Sequence, residues 1–241
     1  MSLYLKKFDT QTAYTAAQSS LILPNVSLIT ENNKVEYNPL TPTPTAETRV
    51  VATFNVEYED SEIKILNDTT NITSIEIDGV EQPSVTTGYT FSTTGEHTVK
   101  YTLTDQTSIA NNAFQYCYGL TSIVIPYSVT SIGNYALQSC TSLTSCTIGN
   151  GVTSIGNYAF EGCGFTNIVI PSNVTNLGEL TFYNCGYLVS FTVMATTPPS
   201  MNSIFGGEMY NPTIYVPSVS VNAYKAASGW IDYESDIEPI P

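Results

Sequence analysis

The chain has 241 residues, of which 42% are hydrophobic and only 12% charged. Seven Lys and Arg stand against 21 Asp and Glu, giving a net charge of −14. A packed core is available, but the basic footprint that nucleic acid or an anionic membrane surface requires is not. No run of 18 apolar residues exists, so no membrane insertion is expected.

The opening, MSLYLKKFDTQTAYTAAQ, does not read as a signal peptide, because Lys6 and Lys7 lead into Phe8 and Asp9 rather than an apolar run. Residues 1–38 read as a small N-terminal α+β module. Asp9 is a candidate cap for a helix over 10–19, and two short strands flank an Asn32-Asn33 turn. Residues 39–47, PLTPTPTAE, read as a stiff Pro/Thr linker.

Residues 48–104 alternate as β-structure. Ala52, Phe54, Val56 and Tyr58 share one face, Ile63 and Ile65 alternate, and Ile75 and Ile77 precede the turn signal Asp78-Gly79. Tyr89 and Phe91 mark another short strand, and Val99, Tyr101 and Leu103 are in phase in the last. Such spacing predicts a small Ig-like β-sandwich with a thin core that leans on the first repeat after it.

Residues 105–196 repeat. Cys117, Cys140, Cys163 and Cys185 recur at steps of 23, 23 and 22 residues. Leu120-x-x-Ile123-x-Ile125 returns as Leu143, Cys146, Ile148, as Phe165, Ile168, Ile170, and as Leu188, Phe191, Val193. This is the core phrase of a leucine-rich repeat, and it predicts about four solenoid coils. Ile109, Ile132, Ile155 and Leu177 align upstream, as do Phe114, Leu137, Phe160 and Phe182. One residue is missing between Cys163 and Phe165, which explains the short step. A coil buries its apolar face only against its neighbours, so both ends need caps. The sandwich is the expected first cap and residues 197–241 the second. There TIYVP reads as a last strand, Ser218 or Ser220 as a helix cap, Gly229 as the helix stop, and Trp230, Tyr233, Ile237 and Ile240 as cover.

The phrase over Ala113–Gly133, with the two repeats after it, resembles the BspA-like leucine-rich repeats of gut and oral bacteria, and TTPPSM…IYVPSVSVNAYKAASGWIDYESDIEPI is similar to the C-terminal cap of that family. The resemblance implies a surface protein that binds host or matrix partners and carries no catalytic residues. The front, YLKKFDTQTAYTAAQSSLILPNVSLITENNKVEYNP, resembles a module of Bacteroidales and phage proteins, common among virion proteins of crAss-like phages. The segment after it is similar to β-modules found between such a front and such repeats. These resemblances imply a mainly β, non-enzymatic virion protein: a head or tail fibre or a capsid decoration, assembled in the bacterial cytoplasm. It would dock on a capsid or tail protein through residues 1–38, with Tyr4, Phe8, Tyr14, Leu23 and Tyr37 as anchoring candidates, and a homo-oligomer would be natural for a fibre. The alternative is a BspA-like bacterial cell-surface adhesin that binds host protein or glycan.

The residues themselves point to display rather than chemistry. One thiol per coil is not zinc spacing, and cysteine packs as a small hydrophobe, so free, buried thiols are expected, with no disulfides and no metal. His97 has no second histidine to work with, and no nucleophile, metalloprotease or phosphate-loop motif is present. No cofactor is expected. The acidic runs Glu57–Glu62 and Asp232–Glu238 do not match a calcium loop and read as solvated loops. Tyr116, Tyr118, Tyr127, Tyr135, Tyr158, Tyr183 and Tyr187 fall at non-consensus positions of the repeats and are the candidate recognition surface. Tyr135 and Tyr158 are equivalent, one coil apart, and are placed to form a ladder.

Overall fold

The computed structural model describes residues 48–207 and 212–241. The expected module over 1–38, its helix at 10–19, the linker over 39–47 and the anchoring candidates Tyr4, Phe8, Tyr14, Leu23 and Tyr37 lie outside these residues. The chain divides into two units, Met1–Glu47 and Thr48–Pro241. The second unit is mainly β.

Its front part carries β1 (Val50–Val56), β2 (Glu62–Lys64), β3 (Ile72–Ile77), β4 (Val80–Glu81), β5 (Gly88–Thr90) and β6 (Gly95–Leu103). Alternation sends Val50, Ala52, Phe54 and Val56 inward from β1, and Val99, Tyr101 and Leu103 inward from β6. Asp78 (φ 48°) and Gly79 (φ 83°) turn β3 into β4 as the sequence signals. The sheet order does not show the expected Ig-like sandwich, and it shows how this part leans on the first repeat. β1, β6, β3 and β4 form a single six-stranded sheet with two strands of the first coils, β8 (Leu120–Ile125) and β10 (Ser145–Ile148), while β2 and β5 form a separate two-stranded ribbon. β1 pairs antiparallel with β8, Ala52 opposite Ile123 and Phe54 opposite Leu120, with a bulge between Thr53 and Phe54. β1 thus pairs on both edges, with β6 on one side and β8 on the other. The front part leans on the solenoid by sharing its sheet.

Each coil then runs from a long strand, through a corner, to a short strand and a tight run of turns. The long strands continue with β12 (Asn167–Ile170), β14 (Ser190–Val193), β15 (Thr213–Val216) and β16 (Ile237–Pro239), all parallel. The short ones are β7 (Ser108–Ile109), β9 (Ser131–Ile132), β11 (Ser154–Ile155) and β13 (Asn176–Leu177), also parallel. The long-strand layer is broken between β10 and β12. The break falls in the coil that lacks a residue after Cys163, and there a side chain on Gly164 would meet the Thr141 carbonyl oxygen at 2.5 Å.

The register outruns the cysteines. Phe191 pairs with Ile214 and Ile214 with Ile237, two further steps of 23 residues, and Ser200 bridges to Asn176. The solenoid therefore passes residue 196, where the cysteine step suggested its end, and the C-terminal cap is made from its last turns. In that cap Tyr224 Oη donates to Ala195 O at 2.7 Å, Trp230 Nε1 donates to Pro199 O at 2.8 Å, and Tyr233 packs edge-on against Phe205. The short helix α1 (Val221–Ala226) starts after Ser220, but the serine hydroxyl does not cap it. Ser220 Oγ donates instead to Thr196 O at 2.8 Å, because the hydroxyl is buried and the neighbouring coil offers it an acceptor.

Side-chain ladders hold the coils in register. Thr130 gives both its N–H and its hydroxyl to Thr107 O, Thr153 does the same to Thr130 O, Thr175 to Thr153 O, and Ser200 to Thr175 O. Asp105 closes the open end of that column. Its carboxylate accepts the Thr107 and Ser108 N–H groups, and the Thr107 bond foremost holds its pKa below the usual range. Asn111, Asn134 and Asn157 each accept, through Oδ1, the N–H of the equivalent residue in the next coil. That close approach is why Gly156 is glycine: a β-carbon would meet Asn134 Oδ1 at 2.6 Å.

The cysteines are a third ladder. Cys140 Sγ donates to Phe114 O at 3.1 Å, Cys163 Sγ to Leu137 O at 3.3 Å and Cys185 Sγ to Phe160 O at 3.1 Å. A thiol fits the column because it is a small hydrophobe that still satisfies a buried carbonyl. All five cysteines are free, and only Cys146 is less than fully buried. Burial pushes the thiols of Cys140 and Cys185 up to about 12, and those of Cys117 and Cys163 well above their ordinary value.

This packing has consequences for thiol reactivity and for cooperativity. At pH 8 a thiol of pKa about 12 is thiolate in only ~1 molecule in 10⁴. The four column cysteines are therefore expected to resist a disulfide reagent in the native protein and to react at once in denaturant. Rapid native labelling at Cys117, Cys140, Cys163 or Cys185, located by peptide mass, would contradict the buried ladder. Phe54 is fully buried where β1 meets β8. Phe54→Ala is expected to cost about 3–5 kcal/mol and to shift one cooperative urea transition seen alike by far- and near-ultraviolet dichroism. Separate transitions for the front part and the coils would show that the shared sheet does not couple them.

Candidate functional site

The turn run of each coil sets the site. Two residues per coil, four apart, take left-handed backbone: Asn112 and Tyr116, Tyr135 and Ser139, Tyr158 and Gly162, Leu180 and Asn184. This alternation aims every second N–H at the next coil. Asn112, Phe114 and Tyr116 donate to Asn134, Ala136 and Gln138 at 2.7–3.0 Å, and the intervening amides turn back within their own coil. Asn adopts such a conformation at little cost, whereas bulky side chains rarely do. Tyr135 and Tyr158, both at φ 56°, are thus held where the repeat's own geometry does not favour tyrosine. Stacking recovers part of the cost: their rings lie 5.1 Å apart and 4° from parallel. The ladder expected from sequence is present.

Beside this stack runs a polar row. Gln115 donates to Gln138, Gln138 donates to Glu161, and Tyr183 takes the equivalent place in the following coil. Glu179 N–H is held by Asn157 Oδ1 at 2.8 Å, and the residue is exposed. Tyr158 N–H donates to Glu179 O at 3.0 Å and Glu161 N–H donates to Tyr158 O at 3.2 Å, so both acidic residues adjoin Tyr158. Partial burial, then the charges of Glu179, Tyr135, Glu161 and Tyr183, raise its hydroxyl above the usual range.

The remaining tyrosines divide. Tyr116 and Tyr118 lie 6.2 Å apart on the first coil, and Lys64 Nζ sits 5.4 Å above the Tyr116 ring. Tyr127 follows β8 and Tyr187 precedes β14, both well exposed but at opposite ends of the strand layer. The fold therefore brings Tyr135, Tyr158 and Tyr183 together with two carboxylates, gathers Tyr116 and Tyr118 elsewhere, and leaves Tyr127 and Tyr187 apart.

Sequence reasoning missed the carboxylates. From Tyr101 to Tyr224 the chain contains no Lys, Arg or His, and among residues 105–207 its acids are Asp105, Glu161 and Glu179 only. Asp105 is spent on backbone amides, so the uncompensated charge of these coils stands at Tyr158. The absence of cations was readable in the sequence. That Glu161 and Glu179 share a face was not, because they belong to different coils.

Other candidates resolve into structure. His97 Nδ1 lies 2.7 Å from Asp78 Oδ2, its Nε2 lies 2.9 Å from Thr93 O, and its ring packs on Phe91. In the acidic runs Glu57, Glu59, Asp60, Asp232 and Glu234 are exposed. Among the described residues no group of three or more His, Cys, Asp or Glu could hold a metal ion. Among the same residues no helix is long and apolar enough to cross a membrane.

Residues 107–223 match the family model described as BspA type Leucine rich repeat region, in six copies. The solved structures to which the chain is similar include a leucine-rich repeat protein of T. pallidum, at 24% identity and a TM-score of 0.42, over 55% of this chain and 61% of that one. A leucine-rich cell surface protein of Faecalibacterium prausnitzii is similar at 22% identity and a TM-score of 0.35, over 46% of this chain and 39% of that one. A leucine-rich repeat protein of Bacteroides ovatus is similar at 24% identity and a TM-score of 0.33, over 66% of this chain and 47% of that one. The chain thus spans less than two thirds of the length of each of these proteins. No curated protein matches it. The repeating phrase, the coil-to-coil ladders and the family match agree: residues 107–223 are a BspA-type leucine-rich repeat region.

Proposed function

We propose that the chain is a non-catalytic recognition protein that presents its repeat surface to a partner, in the manner of an adhesin. The observation that carries this reading is the Tyr135–Tyr158 stack. Two large aromatic side chains are kept half-buried on a turn, in a backbone conformation that costs of order 1–3 kcal/mol per residue. The repeat sets that conformation in every coil; what is particular to this face is that tyrosine fills it twice in succession. Rigid tyrosines give contact area at low entropic cost and end in a polar tip. BspA-type repeats are typical of bacterial cell-surface proteins, and this supports a cell surface as the place of action.

The variant Tyr135→Ser, Tyr158→Ser is expected to keep the fold, since neither ring belongs to the buried core. It is expected to lose at least tenfold in attachment to target cells, measured by flow cytometry with the labelled full chain. Unchanged attachment with an unchanged dichroism spectrum would end the recognition reading.

A second context is display on a phage virion, with residues 1–38 docked on a capsid or tail protein. The division of the chain at Glu47/Thr48 favours it, because an attachment unit and a display unit are then separable. Under this reading, deletion of residues 1–38 abolishes incorporation into particles while residues 48–241 stay folded. Particles that carry the truncated chain at the normal level would remove the anchor.

A further inference from the structure

Uncompensated charge beside the tyrosine stack says what kind of partner it suits. We infer that the face formed by Tyr135, Tyr158, Tyr183, Glu161 and Glu179 docks a cationic, Arg- or Lys-rich segment of a partner protein. The inference rests on the recognition reading and names the chemistry of what is recognised.

Charge complementarity is the main argument. With no cation between Tyr101 and Tyr224, the repeats cannot pair Glu161 or Glu179 with a basic residue of their own. The Glu161 carboxylate and the Glu179 backbone are also held in place. Gln138 donates to one oxygen of Glu161, Gln115 in turn donates to Gln138, and Asn157 fixes the backbone of Glu179. An amide row of this kind orients a carboxylate while leaving its second oxygen for an incoming donor.

Stacking settles how the tyrosines take part. In a parallel pair each ring covers one face of the other, which leaves Tyr135 and Tyr158 their edges, hydroxyls and outer faces. Neither hydroxyl has a hydrogen-bond partner among the described residues, and a phenol oxygen accepts from guanidinium or ammonium. Elsewhere, on the first coil, the protein already holds one cation over a tyrosine, Lys64 of β2 above Tyr116. That coil has its positive charge from within. The third and fourth coils have only negative charge. An overall charge of −14 adds a long-range field that draws a basic segment in, and the oriented Glu161 carboxylate with Glu179 beside it gives it a place to stop.

A fluorescein-labelled hexa-arginine peptide, titrated into the full chain at ~150 mM salt and read by anisotropy, tests the inference. Glu161→Gln with Glu179→Gln is expected to weaken binding about tenfold. Glu57→Gln with Glu59→Gln removes the same charge from an exposed loop of the front part and is expected to change binding less than about twofold. Equal weakening by the two pairs would reduce the effect to net charge and overturn the inference, as would failure of the peptide to bind. The same variants in the cell-attachment assay separate this idea from the reading beneath it. If the tyrosine pair matters and the glutamate pair does not, recognition stands and the cationic partner falls. If neither pair matters, recognition itself falls.

Discussion

Every coil of this protein leaves its backbone polar groups to be satisfied by the next one. In the long strands the ladder is ordinary parallel pairing. In the turn run it depends on two left-handed residues per coil, which aim alternate amides outward at 2.7–3.0 Å from the carbonyls of the neighbour. A buried peptide group without a partner costs as much as a lost hydrogen bond, so neither end of the stack can stand open. The front part answers this at the first coil. Asn67 gives its N–H to Ala113 O and its side-chain amide to Asn112 O, Asn71 reaches Ser108 O, and β1 takes the free edge of β8. At the far end Tyr224, Trp230 and Ser220 each bond a carbonyl of the 195–199 segment.

The same demand explains the residue types in the repeat. Thr, Asn and Cys recur because each carries a short polar group that reaches a main-chain partner one coil away. The threonine hydroxyl and the cysteine thiol donate to carbonyls, and the asparagine oxygen accepts an amide. The three columns differ in burial, and the residue follows. The exposed column is threonine, the buried one cysteine, whose weak S–H donor costs least to desolvate. Large apolar groups fill what remains, with Phe160, Phe182 and Phe205 stacked down the axis and closed by Tyr233.

With the interior committed to register, function is left to the positions the repeat does not specify. Tyr135 and Tyr158 stand in a column that holds Asn112 and Leu180 in the flanking coils, and Glu161 ends an amide row that Gln115 and Gln138 begin. These departures from the repeat lie together over the second to fourth coils. The charge of the central repeats stands with them, at Glu161 and Glu179.

The period of the repeat, its inward residues, the Asp78-Gly79 turn and the tyrosine ladder were legible in the sequence, because each depends on neighbours a fixed step away. Two things were not. The cysteine step hid the last coils: Phe205 and Ile237 keep the 23-residue register, but the positions that mark it earlier hold other residues, so only strand pairing reveals it. Alternation over 48–104 identifies strands correctly but does not show that they fail to close on themselves. Which edge a strand pairs with is not written in its own alternation; it is decided by where an unpaired edge exists, and the first coil supplies one in β8. The sequence by itself determined a leucine-rich-repeat solenoid over residues 107–223 with the column cysteines inside. Only the tertiary structure decided that the front sheet continues into it, and that two glutamates from different coils face one tyrosine, because both are contacts between segments whose separation no period sets.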